Sequence, residues 1–306
     1  MNINEQLSSI QTILKNNDLV TKDGELIELH DQTIEEISKT ILKAEGKNKA
    51  ENNQKAIEGI KIKKEIDNFE KLIKETFGQF YFNFYNNIPK KLDRQFKFRF
   101  IFLCTYLKYN DDRLVKKEDN GRYRLIKEYE LQELLKLSTR EYQRTKKELI
   151  DNNLIHIDNV RAIHINGSIS LVGEINKSNQ KDYTRIFKKY VRELYGNCLP
   201  REHKKIDIVI ELLPFVHFQY NIICKNPTCE LMEDIDPLTI KEITNQLNMS
   251  NPSVFKKSLL SIKANNKKVI MIFEDFDKQM IAINPSVYYR GTRQEALQYL
   301  IDLFKI

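Results

Sequence analysis

Two stretches of this chain carry the same succession of apolar and polar segments. Each begins with an apolar helix and a polar loop, continues with an amphipathic helix that ends at a serine-containing turn, and closes with another helix and two short alternating strands. In the first stretch the predicted helices cover residues 96–109, 127–137 and 140–152, the loop covers 111–124, and the strands cover 154–157 and 162–165.

The second stretch repeats this order after a polar linker at 176–181 and a connecting helix at 183–195. Pro252 follows a turn and suits the first position of a helix, because the N–H that proline lacks would have no partner there. Predicted helices cover residues 205–220, 238–247 and 253–262, the strands cover 268–273 and 280–283, and an amphipathic helix follows at 294–304.

A helix, a tight turn, a second helix and a hairpin in succession are typical of the winged helix-turn-helix fold. We therefore predict an α+β chain that is mostly helical, with a helical N-terminal arm followed by two winged helix-turn-helix domains. The predicted limits are 1–77 for the arm, 78–175 for the first winged-helix domain, and 176–306 for the connecting helix, the second winged-helix domain and the C-terminal helix.

The predicted arm contains a small hairpin and a charged helix. Residues 19–20 and 26–29 flank Asp23-Gly24, a pair favoured in hairpin turns, and Asp31 suits the N-cap of the helix that follows. Farther along, apolar residues recur at heptad-like spacing, which predicts either packing onto the helix's own domain or a contact between two subunits. This stripe comprises Ile62, Ile66, Phe69 and Ile73.

An aromatic cluster lies between the arm and the first repeated stretch. Beside Lys90, Lys91 and Arg94 its rings could stack on unpaired bases, as in single-strand-binding proteins. Helical spacing would instead turn most of the rings into the core, and we favour this packing role. The cluster comprises Phe77, Phe80, Tyr81, Phe82, Phe84 and Tyr85.

The helix predicted at 140–152 has the composition of a DNA recognition helix. An α-helix fits the major groove, where Arg reads guanine and Gln reads adenine through paired hydrogen bonds. We expect Tyr142, Leu149 and Ile150 to face the core, and Arg161 in the hairpin turn to reach a phosphate or the minor groove. The residues predicted to face DNA from the helix are Thr139, Arg140, Gln143, Arg144 and Lys147.

The second recognition helix is predicted at 253–262, with Val254 and Leu259 facing the core. The residues left to contact DNA are Asn251, Ser253, Lys256 and Lys257. The turn of the following hairpin is acidic at Glu274, Asp275 and Asp277, which would repel phosphates. The first domain is therefore the better candidate for DNA, although two weak units on one chain gain affinity through effective concentration.

Composition is compatible with this interpretation. The chain has 306 residues, 41% of them hydrophobic and 30% charged, and a formal net charge of +7. The apolar content supports packed cores, and the basic balance modestly favours a polyanionic partner. No stretch reaches the roughly 18 apolar residues of a membrane span. Because the first residues also lack the pattern of a secretory signal, we expect a cytoplasmic protein without membrane contact.

Residues that would point to enzymatic chemistry do not form recognisable motifs. The sequence has no GxxxxGK[ST] phosphate loop and no GxGxxG fingerprint. Cys224 and Cys229 lack further Cys or His ligands at zinc spacing, and His217 lies in an apolar stretch. The adjacent Tyr288 and Tyr289 suit packing at the end of the last strand. We predict no enzyme activity, no catalytic residues, no metal and no cofactor.

The segment at residues 279–292 is the most distinctive in the chain. A strand that ends in Ile283-Asn284-Pro285, followed by bulky residues, a basic residue and Gly291, resembles winged-helix replication initiator and regulator proteins of phages and plasmids of Gram-positive (Firmicutes) bacteria. Residues 77–85 and 199–205 also resemble segments of proteins from these mobile elements. The resemblance implies binding to repeated origin or operator sites through Arg140, Gln143, Arg144 and Lys147.

We therefore expect a sequence-specific double-stranded DNA-binding protein that acts in replication initiation or transcription regulation of a mobile element, with a homodimer through the N-terminal helix as a further expectation. The main alternative is a phage or plasmid factor that binds a host replication or transcription protein without reading DNA. A repressor with a small-molecule pocket beside the aromatic cluster is less favoured. The sequence leaves the target site and the choice between initiator and regulator open.

Overall fold

The computed structural model describes residue 12 and residues 19–20, 26–27, 31–175, 183–264, 266–275 and 277–305. The chain divides into two compact units, Met1–Asn68 and Phe69–Ile306. Both repeated stretches lie in the second unit. Helices and antiparallel sheets are both well represented, which confirms the predicted α+β class.

The first unit contains the predicted hairpin and most of a long helix. Strands β1 (Leu19–Val20) and β2 (Leu26–Ile27) pair in antiparallel fashion, while their Asp-Gly turn lies outside the described residues. Helix α1 (Asp31–Phe77) has as its first residue Asp31, which was expected to be its N-cap, and continues into the second unit. Among the described side chains, the exposed isoleucines along its part in the first unit are Ile41, Ile57, Ile60 and Ile66.

The C-terminal end of α1 belongs to the core of the second unit. Ile73 is buried, and the Phe77 ring lies 5.0 Å from the ring of Phe187. The Phe69 ring lies 6.5 Å from the ring of Tyr289. This end of the predicted heptad stripe therefore packs onto its own chain, whereas a subunit contact farther towards the N-terminus stays a prediction.

The first repeat has the predicted helices and hairpin in the predicted order. Strand β5 lies between β4 and β8, and β7 pairs with the other edge of β8. Helix α3 is shorter than predicted, because a 3-10 turn at Glu128–Glu130 precedes it. The elements are β3 (Phe80–Asn83), α2 (Arg94–Cys104), β4 (Leu107–Lys108), β5 (Asp111–Lys117), β6 (Tyr123–Leu125), α3 (Leu131–Leu134), α4 (Thr139–Asp151), β7 (Ile155–Ile157), β8 (Ile163–Ile165) and β9 (Ser170–Leu171).

Two expectations for this repeat are wrong. The segment expected as a loop at 111–124 forms the hairpin of β5 and β6, with Gly121 turning the chain at a φ of 82°. The middle of the aromatic cluster expected on a helix, Phe80 to Phe82, forms strand β3 with Asn83, and all four residues of this strand are buried. A strand covered on both faces lacks the alternation of apolar and polar residues that would distinguish it from a buried helix.

The second repeat follows the same order. Ile222 forms a β-bridge with Ala282, so a short extended segment lies beside β14 just as β5 lies beside β8. Pro252 is the first residue of α9, as predicted. The elements are β10 (Thr184–Phe187), α5 (Lys188–Gly196), α6 (His203–Ile206), α7 (Ile208–Glu211), α8 (Ile240–Gln246), α9 (Pro252–Leu260), β11 (Lys263–Ala264), β12 (Lys267–Lys268), β13 (Ile270–Asp275), β14 (Lys278–Ile283), β15 (Tyr288–Tyr289) and α10 (Gln294–Phe304).

Two helix predictions here need correction. The single helix expected at 205–220 is broken into α6, α7 and a 3-10 turn at Leu213–Phe215 that contains Pro214. The connecting helix expected at 183–195 begins only at Lys188, because the preceding residues pair as strand β10.

Strands from both repeats form one antiparallel sheet in the order β15-β10-β3-β9. Strands β3 and β9 bracket the first repeat, and β10 and β15 bracket the second. In the middle, β3 pairs with β10 from Phe80 opposite Phe187 to Asn83 opposite Thr184. An antiparallel pair has a local two-fold axis, and strands of the two repeats occupy matching places on either side of the β3–β10 pair.

The same asparagine turn leads from each hairpin into this sheet. Asn284 accepts hydrogen bonds at Oδ1 from the backbone N (2.9 Å) and the hydroxyl of Ser286, and donates from Nδ2 to the carbonyl oxygen of Lys268 (3.0 Å). Asn166 and Ser168 make the equivalent bonds in the first repeat. The shared pattern Ile-Asn-x-Ser is therefore a further mark of duplication, and one that the sequence analysis missed.

We expect Asn284→Ala to destabilise the protein more than Asn166→Ala. Asn284 is 2% exposed, so its lost hydrogen bonds leave buried groups unpaired, at a cost of about 1–3 kcal/mol. Asn166 is partly exposed, and water can replace its bonds. Urea unfolding measures both changes, and equal losses would contradict the assigned role of Asn284.

Candidate nucleic-acid interface

Helix α4 is seated on the first repeat through three buried side chains. Its N-cap is Ser138, whose hydroxyl accepts from the backbone N of Glu141 at 3.4 Å. Tyr142, Thr145 and Leu149 recur on one side of the helix and are all buried. Ile150, which we expected to face the core, is 41% exposed, and Thr145 lies in the core instead.

The opposite side of α4 presents the predicted contact residues. Arg140, Gln143 and Lys147 are exposed, and their side chains have no hydrogen bond or ion pair with any described residue. Spacings of three, four and seven residues place Arg140, Gln143, Arg144 and Lys147 on one helix face. Thr139 is exposed at the start of the helix and accepts a hydrogen bond from Nε2 of Gln132 at 3.2 Å.

Arg144 differs from its neighbours because it already has partners. Its Nη2 lies 3.6 Å from Oδ2 of Asp93, and its guanidinium carbon lies 5.1 Å from the ring centroid of Phe96. The side chains of Arg144 and Asp93 are each 53% exposed. Exposed ion pairs contribute little, about 0–1 kcal/mol, so a phosphate can compete for this guanidinium.

A buried guanidinium fixes the orientation of α4. Arg99 of α2 is 1% exposed, and its Nη1 donates to the hydroxyl of Thr145 (2.6 Å) and to Oε2 of Glu141 (3.0 Å), both on α4. Its Nε lies 3.1 Å from Nδ1 of His203 on α6. The sequence analysis missed this residue, although a lone arginine in a run of aromatic residues is the signal that could have revealed it.

His203 must be neutral to serve this contact. Arginine only donates hydrogen bonds, so Nδ1 of His203 has to accept. Burial, reinforced by the positive charge of Arg99, lowers the pKa of His203 to about 4. The imidazole is therefore an uncharged acceptor at neutral pH.

In the first repeat, Glu128 connects the hairpin turn with α4. Its Oε1 lies 2.7 Å from Nζ of Lys146 on α4, and its Oε2 lies 3.3 Å from Nη1 of Arg161 in the turn. The hydrogen bond from Lys146 lowers the pKa of Glu128. Arg161 remains 68% exposed in its side chain, so it can also reach a phosphate.

Helix α9 of the second repeat is rotated from its predicted orientation. Asn251 caps it by accepting at Oδ1 from the backbone N atoms of Ser253 (3.0 Å) and Val254 (3.1 Å). Val254, expected in the core, is 65% exposed, and Phe255 is buried with Leu259. Val254 and Leu259 are five residues apart and therefore lie on different sides of a helix, whereas Phe255 and Leu259, four apart, share one face.

The remaining predicted contacts of α9 lie at the surface. Ser253, Lys256 and Lys257 are exposed, and no described residue forms an ion pair with either lysine. Asn251 is exposed, but its side-chain oxygen already accepts the two hydrogen bonds that cap α9. This helix thus offers fewer base-reading groups than α4.

The hairpin of the second repeat lies beside an acidic loop. Lys278 donates from Nζ to the carbonyl oxygens of Glu233 (3.2 Å) and Ile235 (2.9 Å), which holds the loop against the hairpin. Exposed carboxylates lie on this side, whereas Asp275 is half-buried and accepts a hydrogen bond from the hydroxyl of Tyr299 at 2.8 Å, and the repulsion of phosphates stays a prediction. The exposed carboxylates belong to Glu230, Glu233, Asp234, Asp236, Glu274 and Asp277.

Two further predicted roles concern aromatic residues. All rings of the cluster are buried except that of Tyr85, which is half-buried, so the packing role is confirmed and no stacking surface remains. Tyr288 and Tyr289 are buried in strand β15, and burial raises the pKa of both. They pack the end of the last strand, as predicted.

Comparison of the chain with protein-family models, with curated proteins and with solved structures found no match. Within the described part of the chain, no helix is both long enough and apolar enough to cross a membrane. Nor do three or more His, Cys, Asp or Glu residues in that part form a group that could hold a metal ion.

The His203 contact predicts a specific dependence of stability on pH. In the unfolded chain His203 takes up a proton near pH 6.5, whereas the folded protein resists this down to about 4. The contribution of the neutral His203 imidazole to the free energy of unfolding is therefore complete above about pH 6.5. It is lost as the pH falls towards the pKa of His203 in the folded protein.

We expect His203→Asn to lose less stability than the original chain when the pH is lowered from about 8 to about 5. The difference should be on the order of 1–2 kcal/mol in urea unfolding. The values at pH 8 serve as the internal control, since the imidazole is neutral there in both states. Equal losses in the two proteins would show that His203 is not held neutral by burial.

Proposed function

We propose that this chain is a sequence-specific double-stranded DNA-binding protein of the winged-helix type. The observation that carries the proposal is the outer face of α4, where Arg140, Gln143 and Lys147 are exposed and unpaired among the described residues. Such side chains read guanine and adenine in the major groove or bind phosphates. The buried side of the same helix holds these groups in a fixed direction.

The topology of both repeats supports the winged-helix assignment. Each repeat passes from a helix to an extended segment, then to two helices joined by a tight turn, then to a hairpin whose second strand lies beside that segment. In the first repeat these are α2, β5, α3, α4, β7 and β8. A helix pair followed by a hairpin is the arrangement in which the second helix enters the groove and the hairpin contacts the backbone.

We place the function in replication initiation or transcription regulation of a phage or plasmid. The resemblance of residues 279–292 to winged-helix initiators and regulators of Gram-positive mobile elements supports this setting. Footprinting on the DNA that flanks the gene separates the two roles. Protected repeats in a replication origin indicate an initiator, and a protected promoter indicates a regulator.

A second function is favoured by the acidic side of the second repeat. The carboxylates around Glu233 and Glu274 repel phosphates and suit a basic protein surface. Under this proposal the chain binds a host replication or transcription protein. A pull-down that recovers one host protein, together with no shift of any duplex at low salt, supports this function over DNA binding.

We also propose that α1 forms a homodimer contact through its part in the first unit. The exposed isoleucines at 57, 60 and 66 support it, because apolar side chains along a charged helix gain free energy when they are covered. Sedimentation should give a dimer that dissociates in Ile57→Ser with Ile60→Ser. A monomer at all concentrations in the unchanged chain would contradict this contact.

Removing charge from the outer face of α4 should weaken the recognition of DNA. We expect Arg140→Ala with Lys147→Ala to weaken binding to a selected duplex by at least about tenfold and to lower its salt dependence, because two cations no longer displace counterions. Electrophoretic shifts over a range of salt concentrations measure both effects.

The matched control is Lys189→Ala with Lys305→Ala, which removes the same charge from exposed positions outside α4. It should bind almost as the original chain does. Equal weakening in both double variants would mean that net charge alone, and not the face of α4, determines binding.

A further inference from the structure

Helix α2 belongs to the first repeat but carries cations that reach the second. Nε of Arg94 lies 2.5 Å from Oε2 of Glu211, and Nζ of Lys97 lies 3.0 Å from Oε1 of the same carboxylate. Glu211 ends helix α7 of the second repeat. One carboxylate of the second repeat therefore binds two cations of the first.

Arg94 makes another contact that matters for α9. Its Nη2 donates to the carbonyl oxygen of Leu247 at 3.0 Å. Leu247 is the C-cap of α8, directly before the turn that leads into α9. The first repeat thus holds the helix pair of the second at the point where α8 ends.

The same helix holds α4 from its other side through Arg99. Helix α2 therefore connects the two candidate reading helices, with α4 bound through Arg99 and the α8–α9 turn bound through Arg94. We refer to Arg94, Lys97 and Glu211 as the α2 clamp. Its side chains are 25%, 11% and 17% exposed, respectively, so water screens these charges only in part.

A nearby carboxyl group does not compete for the clamp. Asp207 lies one turn before Glu211, is fully buried, and has no hydrogen-bond partner among the described residues at either oxygen. Burial, with a contribution from the charge of Glu211, raises the pKa of Asp207 well above its usual range. Glu211, whose two carboxylate oxygens contact Arg94 and Lys97, therefore supplies the negative charge of the clamp.

We propose that Arg94, Lys97 and Glu211 are positioning residues that fix the separation of α4 and α9, so that the chain reads a duplex site with two half-sites at one spacing. This inference rests on the proposed DNA-binding function. The repeats are also joined by the pairing of β3 with β10, by the contact of Arg99 with His203, and by the stacking of Phe102 on Tyr195 at 3.8 Å between ring centroids. The clamp adds a contact at the α8–α9 turn itself, through the hydrogen bond from Arg94 to Leu247.

Selection of duplexes from a random pool, followed by changes in spacer length, tests the proposal. The original chain should enrich two sequence blocks at a single spacing. Inserting or deleting two base pairs between them should weaken its binding by about 100-fold, because both helices can no longer engage together. Glu211→Gln should bind the selected duplex with nearly the affinity of the original chain. The same spacer changes should weaken the binding of this variant by less than about tenfold.

Two further variants keep the test decisive. Lys97→Met retains the aliphatic part of the side chain and removes one charge. It should bind duplexes over a wider range of spacer lengths than the original chain, even if Glu211→Gln does not fold. Glu295→Gln changes an exposed carboxylate of α10 outside the clamp and should keep the narrow tolerance.

The outcomes separate this proposal from the function on which it rests. If no duplex is enriched, DNA binding itself is overturned, and the clamp loses its role with it. If a single block is enriched, or if Glu211→Gln and Lys97→Met both keep the narrow tolerance, DNA binding stands and the positioning role is overturned.

Discussion

The buried guanidinium of Arg99 is the contact on which the arrangement of the second unit depends. It joins α2 to Thr145 and Glu141 of α4 and to His203 of α6, and so meets both repeats at one point. A buried charge is tolerated only when its hydrogen bonds are well placed, and removing a partner costs several kcal/mol. The direction in which α4 presents its polar face is consequently set inside the protein, before any ligand arrives.

The shared order of elements in the two repeats places α4 and α9 at equivalent positions, but the charged groups around these two helices differ. The two repeats share their order of elements, their Ile-Asn-x-Ser turn and their places in the central sheet. In the first, Arg140, Gln143 and Lys147 on α4 are unpaired among the described residues, whereas the hairpin of the second lies beside exposed carboxylates. Under the proposed function, the first repeat would be the stronger reader of DNA, and the second would be a weaker reader or a protein contact.

Local patterns in the sequence were sufficient to predict the helices around the candidate site. Apolar residues seven positions apart place Tyr142 and Leu149 inward and leave Arg140 outward, as the structure has them. Strands β3 and β10 were mistaken for helix because both their faces are buried, so no alternation marks them. Arg99 and Glu211 could not be assigned, since their partners are distant in sequence and adjacent only after folding.

Methylation protection of guanine N7 in a selected duplex tests the central claim most directly, because this atom lies in the major groove. If α4 enters that groove, the bound chain should protect guanine N7 within the site, and Arg140→Ala should lose protection at one guanine while the rest stays protected. Protection confined to adenine N3 in the minor groove, or an unchanged pattern in Arg140→Ala, would contradict the account.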